Sequence, residues 1–78
     1  MTMADFDIRE ADRRHVWHPY TQHAVAGEPR PIARARGAYL YDVDGNAIFD
    51  AISSWWVTLH GHSHPEVAAA IAEQARTL

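Results

Sequence analysis

The chain contains no cysteine and no lysine. Without cysteine, neither a disulfide framework nor a thiolate metal site can form, a composition compatible with the cytosol. All seven basic residues are arginine (Arg9, Arg13, Arg14, Arg30, Arg34, Arg36 and Arg76), so no side-chain amine is available and the covalent chemistry open to the chain is narrow. Positive charge is scarce as well. A net charge of −3 with no basic patch argues against nonspecific attraction to nucleic acid, which rests on dense Lys and Arg contacts to phosphates. Long apolar runs are also missing. The start MTMADFDIREADRR is mixed in charge and holds no run of about 7–15 apolar residues, so neither a secretory signal nor a membrane span is expected. The expected setting is soluble and cytoplasmic.

What the chain does have is apolar weight. Its hydrophobic share is 47%, with three Trp, three Tyr and two Phe, far above segments that stay disordered because they cannot offset their ordering entropy. A domain of 78 residues buries only about 60% of its unfolded surface. The remaining apolar surface is expected to meet the rest of a larger protein or a partner subunit.

Residues 5–17 are expected to carry a short helix, with Asp7 and Glu10 at the spacing of a capping box. His18-Pro19 should end it, because proline disfavours helical geometry in the residue before it. Gly27, Pro29 and Pro31 then predict an irregular connection over 21–31. From Ile32 to Ile52 the pattern is strand-like. Tyr39 and Tyr41 share a face of one short strand, and Ile48 or Phe49 anchors another. Asp44-Gly45-Asn46 between them predicts a β-hairpin of 38–42 with 47–50. Asp42, Asp44 and Asp50 read as turn chemistry and solvated strand ends, since no ligand series ending in a bidentate Glu completes a calcium loop. Val67, Ile71, Ala75 and Leu78 share one face of a helix over 65–78, with Pro65 in its first turn and Ser63 or His64 as cap. No stop signal follows Leu78, so this helix is expected to be cut short.

Three clusters hold the chemistry-bearing residues: Trp17-His18-Pro19-Tyr20-Thr21, Ser53-Ser54-Trp55-Trp56, and His60-Gly61-His62-Ser63-His64-Pro65. The first reads most simply as a packed aromatic corner. In the second, adjacent tryptophans on extended backbone would face opposite ways, and the serines would end a strand or bond to the turn. A nucleophilic role for either serine lacks the G-x-S-x-G context. His60, His62 and His64 would share a face if extended and could bind zinc. Against this, Gly61 and Pro65 break the run and no carboxylate is clearly placed to orient the rings. Turn formation and capping is the stronger reading.

Taken in order, W-H-P-Y-T, the hairpin with Asp44-Gly45, S-S-W-W and Gly61-His62-Ser63-His64-Pro65 resemble the class III aminotransferases of pyridoxal-phosphate fold type I. The resemblance implies an α/β fold, of which residues 1–78 would be the N-terminal segment: a short helix, a small β-hairpin or meander and the start of a helix, without the large cofactor domain. W-H-P-Y-T together with S-S-W-W is similar to the branch that moves the amino group of S-adenosylmethionine to 8-amino-7-oxononanoate in biotin biosynthesis. By that resemblance Tyr20 recognises the oxo-acid and stacks on adenine, Trp55 contacts substrate, Trp56 forms a neighbouring wall and Ser54 is a weaker candidate. An aromatic face suits adenine, and an indole suits the methylene chain of the oxo-acid.

The family's cofactor, pyridoxal 5'-phosphate, is held as an aldimine by a lysine, which this chain lacks. No phosphate cradle and no Arg for a substrate carboxylate is found in matching context, and Arg30, Arg34, Arg36 and Arg76 read as solvated charges. The segment is therefore expected to be inactive alone, to have no metal, and to belong to a parent enzyme that is a homodimer. Three other readings stay open: a fragment of another class III enzyme acting on ω-amino acids, a noncatalytic interaction module, and a small His-metal module.

Overall fold

A computed structural model of the chain describes residues 6–78. These fall into two units, the first ending at Pro31 and the second running over Ile32–Leu78.

In the first unit an aspartate cap starts the helix. The Asp7 carboxylate accepts the N–H groups of Arg9 (3.1 Å) and Glu10 (3.2 Å), satisfying donors that helix α1, Ile8–His15, cannot use internally. Glu10 turns forward to pair with Arg13, so the expected capping box forms only in its first half. The helix is shorter than the span 5–17. Position 5 lies outside the described residues, and at the other end Val16 is already extended (φ −117°, ψ 129°). His18 Nε2 folds back onto Asp12 Oδ2 at 2.8 Å, which holds the chain off the helical path before Pro19 is reached. Residues 21–31 are irregular, as the glycine and prolines predict.

In the second unit the hairpin forms where expected and gains a partner. Strands β1 (Ile32–Arg36), β2 (Tyr39–Asp42) and β3 (Ala47–Phe49) make an antiparallel meander in that order. Ala35, Leu40 and Ile48 stand opposite one another on its half-buried face. The other face carries Tyr39 against Phe49, with ring centroids 5.7 Å apart, and the Arg34 guanidinium 3.9 Å over the Tyr41 ring. Arg34 is thus engaged in a cation–π contact and is not merely a solvated charge.

The β2–β3 turn is organised by Asp42, the only buried residue among those described. Its carboxylate accepts the N–H groups of Asp44 (3.0 Å) and Asn46 (2.8 Å) and the Asn46 side-chain amide (3.0 Å), while Gly45 takes φ +88°. Asp42 therefore does the expected turn chemistry, but it is not the solvated strand end it was expected to be.

Beyond β3 the chain makes a single helical turn, α2 (Ser53–Trp56), and returns through an isolated bridge between Gly37 and His62 to helix α3 (Pro65–Thr77). Pro65 occupies the first turn of α3 as predicted. His64, one of the two residues expected there, stands at the cap position but makes no side-chain bond to the helix, while Ser63 Oγ donates to the Ala35 carbonyl at 2.8 Å, tying the loop to β1.

No apolar side chain among the described residues is buried. The α3 stripe of Val67, Ile71 and Leu78 is exposed, and among the described residues no helix is long and apolar enough to cross a membrane. These units carry amphipathic faces with nothing of their own to cover them, as the composition and chain length implied.

Candidate functional site

Tyr20 stands in the first unit, at a corner built by short-range bonds. Thr21 Oγ donates to the Pro19 carbonyl at 2.9 Å, and the His18 N–H donates to His23 Nε2 at 2.9 Å. The corner forces Tyr20 to φ 53°. The aromatic residues on either side of Pro19 are not packed against one another: Trp17 is 92% and Tyr20 94% exposed. The expectation of a packed corner therefore fails. The bonds that shape the corner run through the polar residues, leaving the rings outside.

Ser54, Trp55 and Trp56 stand together in the second unit, on backbone that the extended reading did not anticipate. Ser53, Ser54, Trp55 and Trp56 have φ of 52°, 45°, 71° and 66°. With ψ of 57° at Ser54 and 40° at Trp55, α2 is a left-handed helical turn. Its i to i−4 bonds, Trp56 N–H to Ile52 O and Val57 N–H to Ser53 O, are both 2.9 Å. For residues with a Cβ this hand costs about 1–2 kcal/mol each, and no glycine relieves it here. Something outside the turn must hold it. Within it, Trp55 is 55% and Trp56 75% exposed.

Asp50 supplies the hold, together with His62, and nothing in the sequence signalled that the two meet. One carboxylate oxygen of Asp50 accepts the Ser54 N–H at 2.9 Å; the other accepts the Ser54 hydroxyl at 2.7 Å and meets His62 Nε2 at 2.6 Å. The Asp50 side chain is only 5% exposed, so it is not a solvated strand end, and it is the carboxylate that the histidine loop was expected to lack. His62 is itself fixed by paired backbone bonds to Gly37, 3.0 Å and 2.9 Å long. The available signal was an aspartate four residues before a serine at a strand end. The twelve-residue separation from His62 concealed the rest.

The three groups are Ser, His and Asp, but their geometry is not that of an activated nucleophile. Asp50 occupies His62 Nε2, the same nitrogen that lies 3.4 Å from Ser54 Oγ, and the hydroxyl gives its proton to Asp50. No base is left to deprotonate the serine. The arrangement is structural.

The Ser54 N–H, then the His62 ring and the Ser54 hydroxyl, lower the Asp50 carboxyl from 3.8 to about 2. A folded value below the unfolded one stabilises the fold above about pH 4, and this contribution is lost as pH falls toward about 2. Acid denaturation followed in the protein carrying this segment and in its Asp50→Asn variant should show a stability gap that is constant above pH 4 and closes over that window. A gap unchanged down to pH 2 would contradict the assignment.

His60, His62 and His64 do not converge. His62 points to Asp50, while His60 and His64 meet edge to face at 6.1 Å. Among the described residues no cluster of three or more His, Asp or Glu is placed to hold a metal ion. A groove of about 700 Å³ runs between α1 and residues 21–31, and one of about 320 Å³ between residues 57–64 and α3. Tyr20, Trp55 and Trp56 line neither.

The sequence profile of the class-III aminotransferases matches residues 20–78, and the chain belongs to that family. Among its relatives, the adenosylmethionine-8-amino-7-oxononanoate aminotransferase of Corynebacterium glutamicum is 40% identical over 76 residues, 97% of this chain and 18% of the relative. The glutamate-1-semialdehyde 2,1-aminomutase of Roseiflexus castenholzii is 60% identical over 52 residues, 67% of this chain and 12% of that protein. The crystal structure of the omega transaminase from Pseudomonas jessenii in complex with PMP superposes with a TM-score of 0.80 at 31% identity, covering 94% of this chain and 17% of that one. The chain thus spans less than a fifth of the length of these proteins, and over that span it has the transaminase fold.

The family implies pyridoxal phosphate. The residues present do not fit it as its binding site: there is no lysine to anchor it, and Asp42 and Asp50 are taken up by Asn46 and by Ser54 and His62.

Proposed function

We propose that residues 1–78 are the leading, substrate-facing segment of a pyridoxal-phosphate-dependent aminotransferase that transfers the amino group of S-adenosylmethionine to 8-amino-7-oxononanoate, giving 7,8-diaminononanoate for biotin synthesis. One observation carries this reading. Tyr20, Ser54, Trp55 and Trp56 all stand on left-handed backbone, where among the described residues only Ser53 and Ser63 join them as non-glycines. Strain of this kind persists only when surrounding structure imposes it, and it gathers at ligand sites. Here it turns three aromatic rings outward.

In this reading Tyr20 stacks on adenine and contacts the oxo-acid. Trp55 lies along the methylene chain, Trp56 extends that wall, and Ser54 contributes through the turn that its hydroxyl helps to hold. The anchoring lysine and the remaining cofactor contacts come from outside this segment, which alone is inactive. Uncovered apolar faces on both units support a parent in which further chain and a second subunit cover them. The setting is the cytoplasm.

The test is an assay of the polypeptide carrying this segment, loaded with pyridoxal phosphate. Formation of 7,8-diaminononanoate from S-adenosylmethionine and the oxo-acid is the expected result. Turnover only with ω-amino acid donors would move the assignment to the second reading, which the likeness to an omega transaminase favours. A native polypeptide of 8.8 kDa would leave only an interaction module. In the active enzyme, Tyr20→Phe deletes one hydroxyl. It should weaken use of S-adenosylmethionine or the oxo-acid about tenfold while cofactor absorbance is unchanged. Loss of cofactor instead would remove Tyr20 from the substrate wall.

A further inference from the structure

We propose that Asp50 is the positioning residue for Trp55: through Ser54, and backed by His62, its carboxylate holds the Ser53–Trp56 backbone in the left-handed turn from which the indole is presented. The inference rests on the substrate-facing reading of Trp55 and adds a residue that does not itself reach substrate.

Each link in the chain of contacts is short. Gly37 holds His62 through two backbone bonds, His62 Nε2 meets Asp50 at 2.6 Å, and Asp50 takes both the N–H and the hydroxyl of Ser54. Ser54 has φ 45°, and Trp55 follows at φ 71°. Without the carboxylate, the left-handed turn loses both bonds that Asp50 makes to Ser54, and its own backbone bonds must bear the Cβ clash without them. The backbone then relaxes toward negative φ. Reversing φ at Trp55 redirects its Cα–Cβ bond, so the indole leaves the substrate wall although the residue itself is intact.

The test compares variants of the cofactor-loaded protein carrying this segment. Asp50→Asn keeps an oxygen for the Ser54 N–H but presents amide protons where Ser54 Oγ and His62 donate. KM for the oxo-acid should rise about tenfold, with kcat held within about threefold and cofactor absorbance unchanged. Adding Ser54→Gly to that variant removes one of the four Cβ atoms that make the turn costly, at the residue Asp50 holds, and should bring KM back to within about threefold of the parent. A group acting chemically on the substrate would not be replaced by a glycine elsewhere.

An unchanged KM in soluble Asp50→Asn, or no recovery on adding Ser54→Gly, overturns the proposal. Should Asp50→Asn fail to fold, Ser54→Ala deletes only the hydroxyl bond and should raise KM about threefold at constant kcat; no change there overturns it equally. Trp55→Ala measured in parallel separates the two failures. If it leaves KM unmoved, the substrate-facing reading falls and takes this inference with it. If it raises KM while Asp50→Asn does not, the positioning role alone is lost.

Discussion

Trp55→Ala is expected to raise KM for the oxo-acid on the order of 10 to 100-fold, the loss that follows when a substrate's methylene chain no longer lies against an indole. The effect should fall on KM more than on kcat, since an apolar wall binds the ground state and the transition state alike. Retained cofactor absorbance would show that the damage is local. Trp55 is 55% exposed in this segment, so removing its ring opens no cavity within these residues and the fold should survive. Steady-state kinetics with the oxo-acid as varied substrate is the deciding measurement. Unchanged constants would take Trp55 out of the site.

Gly61→Val should be the most damaging single change to the fold of the second unit, for two separate reasons. Gly61 has φ +83°, a conformation that a β-branched residue adopts only under strain. A Cβ there would also meet Gly37 Cα at 3.2 Å and its carbonyl oxygen at 3.3 Å, both backbone atoms with no side-chain freedom to yield. Together these predict a loss of about 2–4 kcal/mol. Gly37→Ala is the matched control. It shares the positive φ (+59°) but has no atom within 4 Å of the added carbon, so only the conformational cost of about 1 kcal/mol applies. Thermal denaturation of the two variants side by side should show the larger drop for Gly61→Val. Because the affected bridge carries His62, Gly61→Val should also impair oxo-acid use. Equal drops would mean that the close approach to Gly37 carries no weight.

Much of this segment can be read from local chemistry. Asp7 ahead of Ile8 caps a helix because a carboxylate two to three residues upstream of free N–H groups satisfies them wherever it occurs. Asp44-Gly45-Asn46 makes a hairpin for the same kind of reason: Gly45 accepts φ +88° at no steric cost. Period and Pro65 together located α3. Tyr20, Trp55, Trp56 and Ser54 were picked out by motif, and the family they implied is the one the chain belongs to.

The left-handed turn was beyond local reading. Nothing in Ser-Ser-Trp-Trp favours positive φ, and isolated residues of these types would choose the opposite hand. The turn exists because Asp50 and His62 meet across twelve residues, and that meeting depends on Gly37 and Gly61 letting two backbone segments approach closely. Ser63 shows the same override, since its hydroxyl leaves the helix it was spaced to cap and bonds the Ala35 carbonyl. Helix α1, the β2–β3 hairpin, helix α3 and the family were set by sequence, because caps, turns and hydrophobic periods act over a few residues. The direction in which Trp55 and Trp56 are presented was decided only by tertiary structure, because it depends on contacts between residues that the sequence keeps apart.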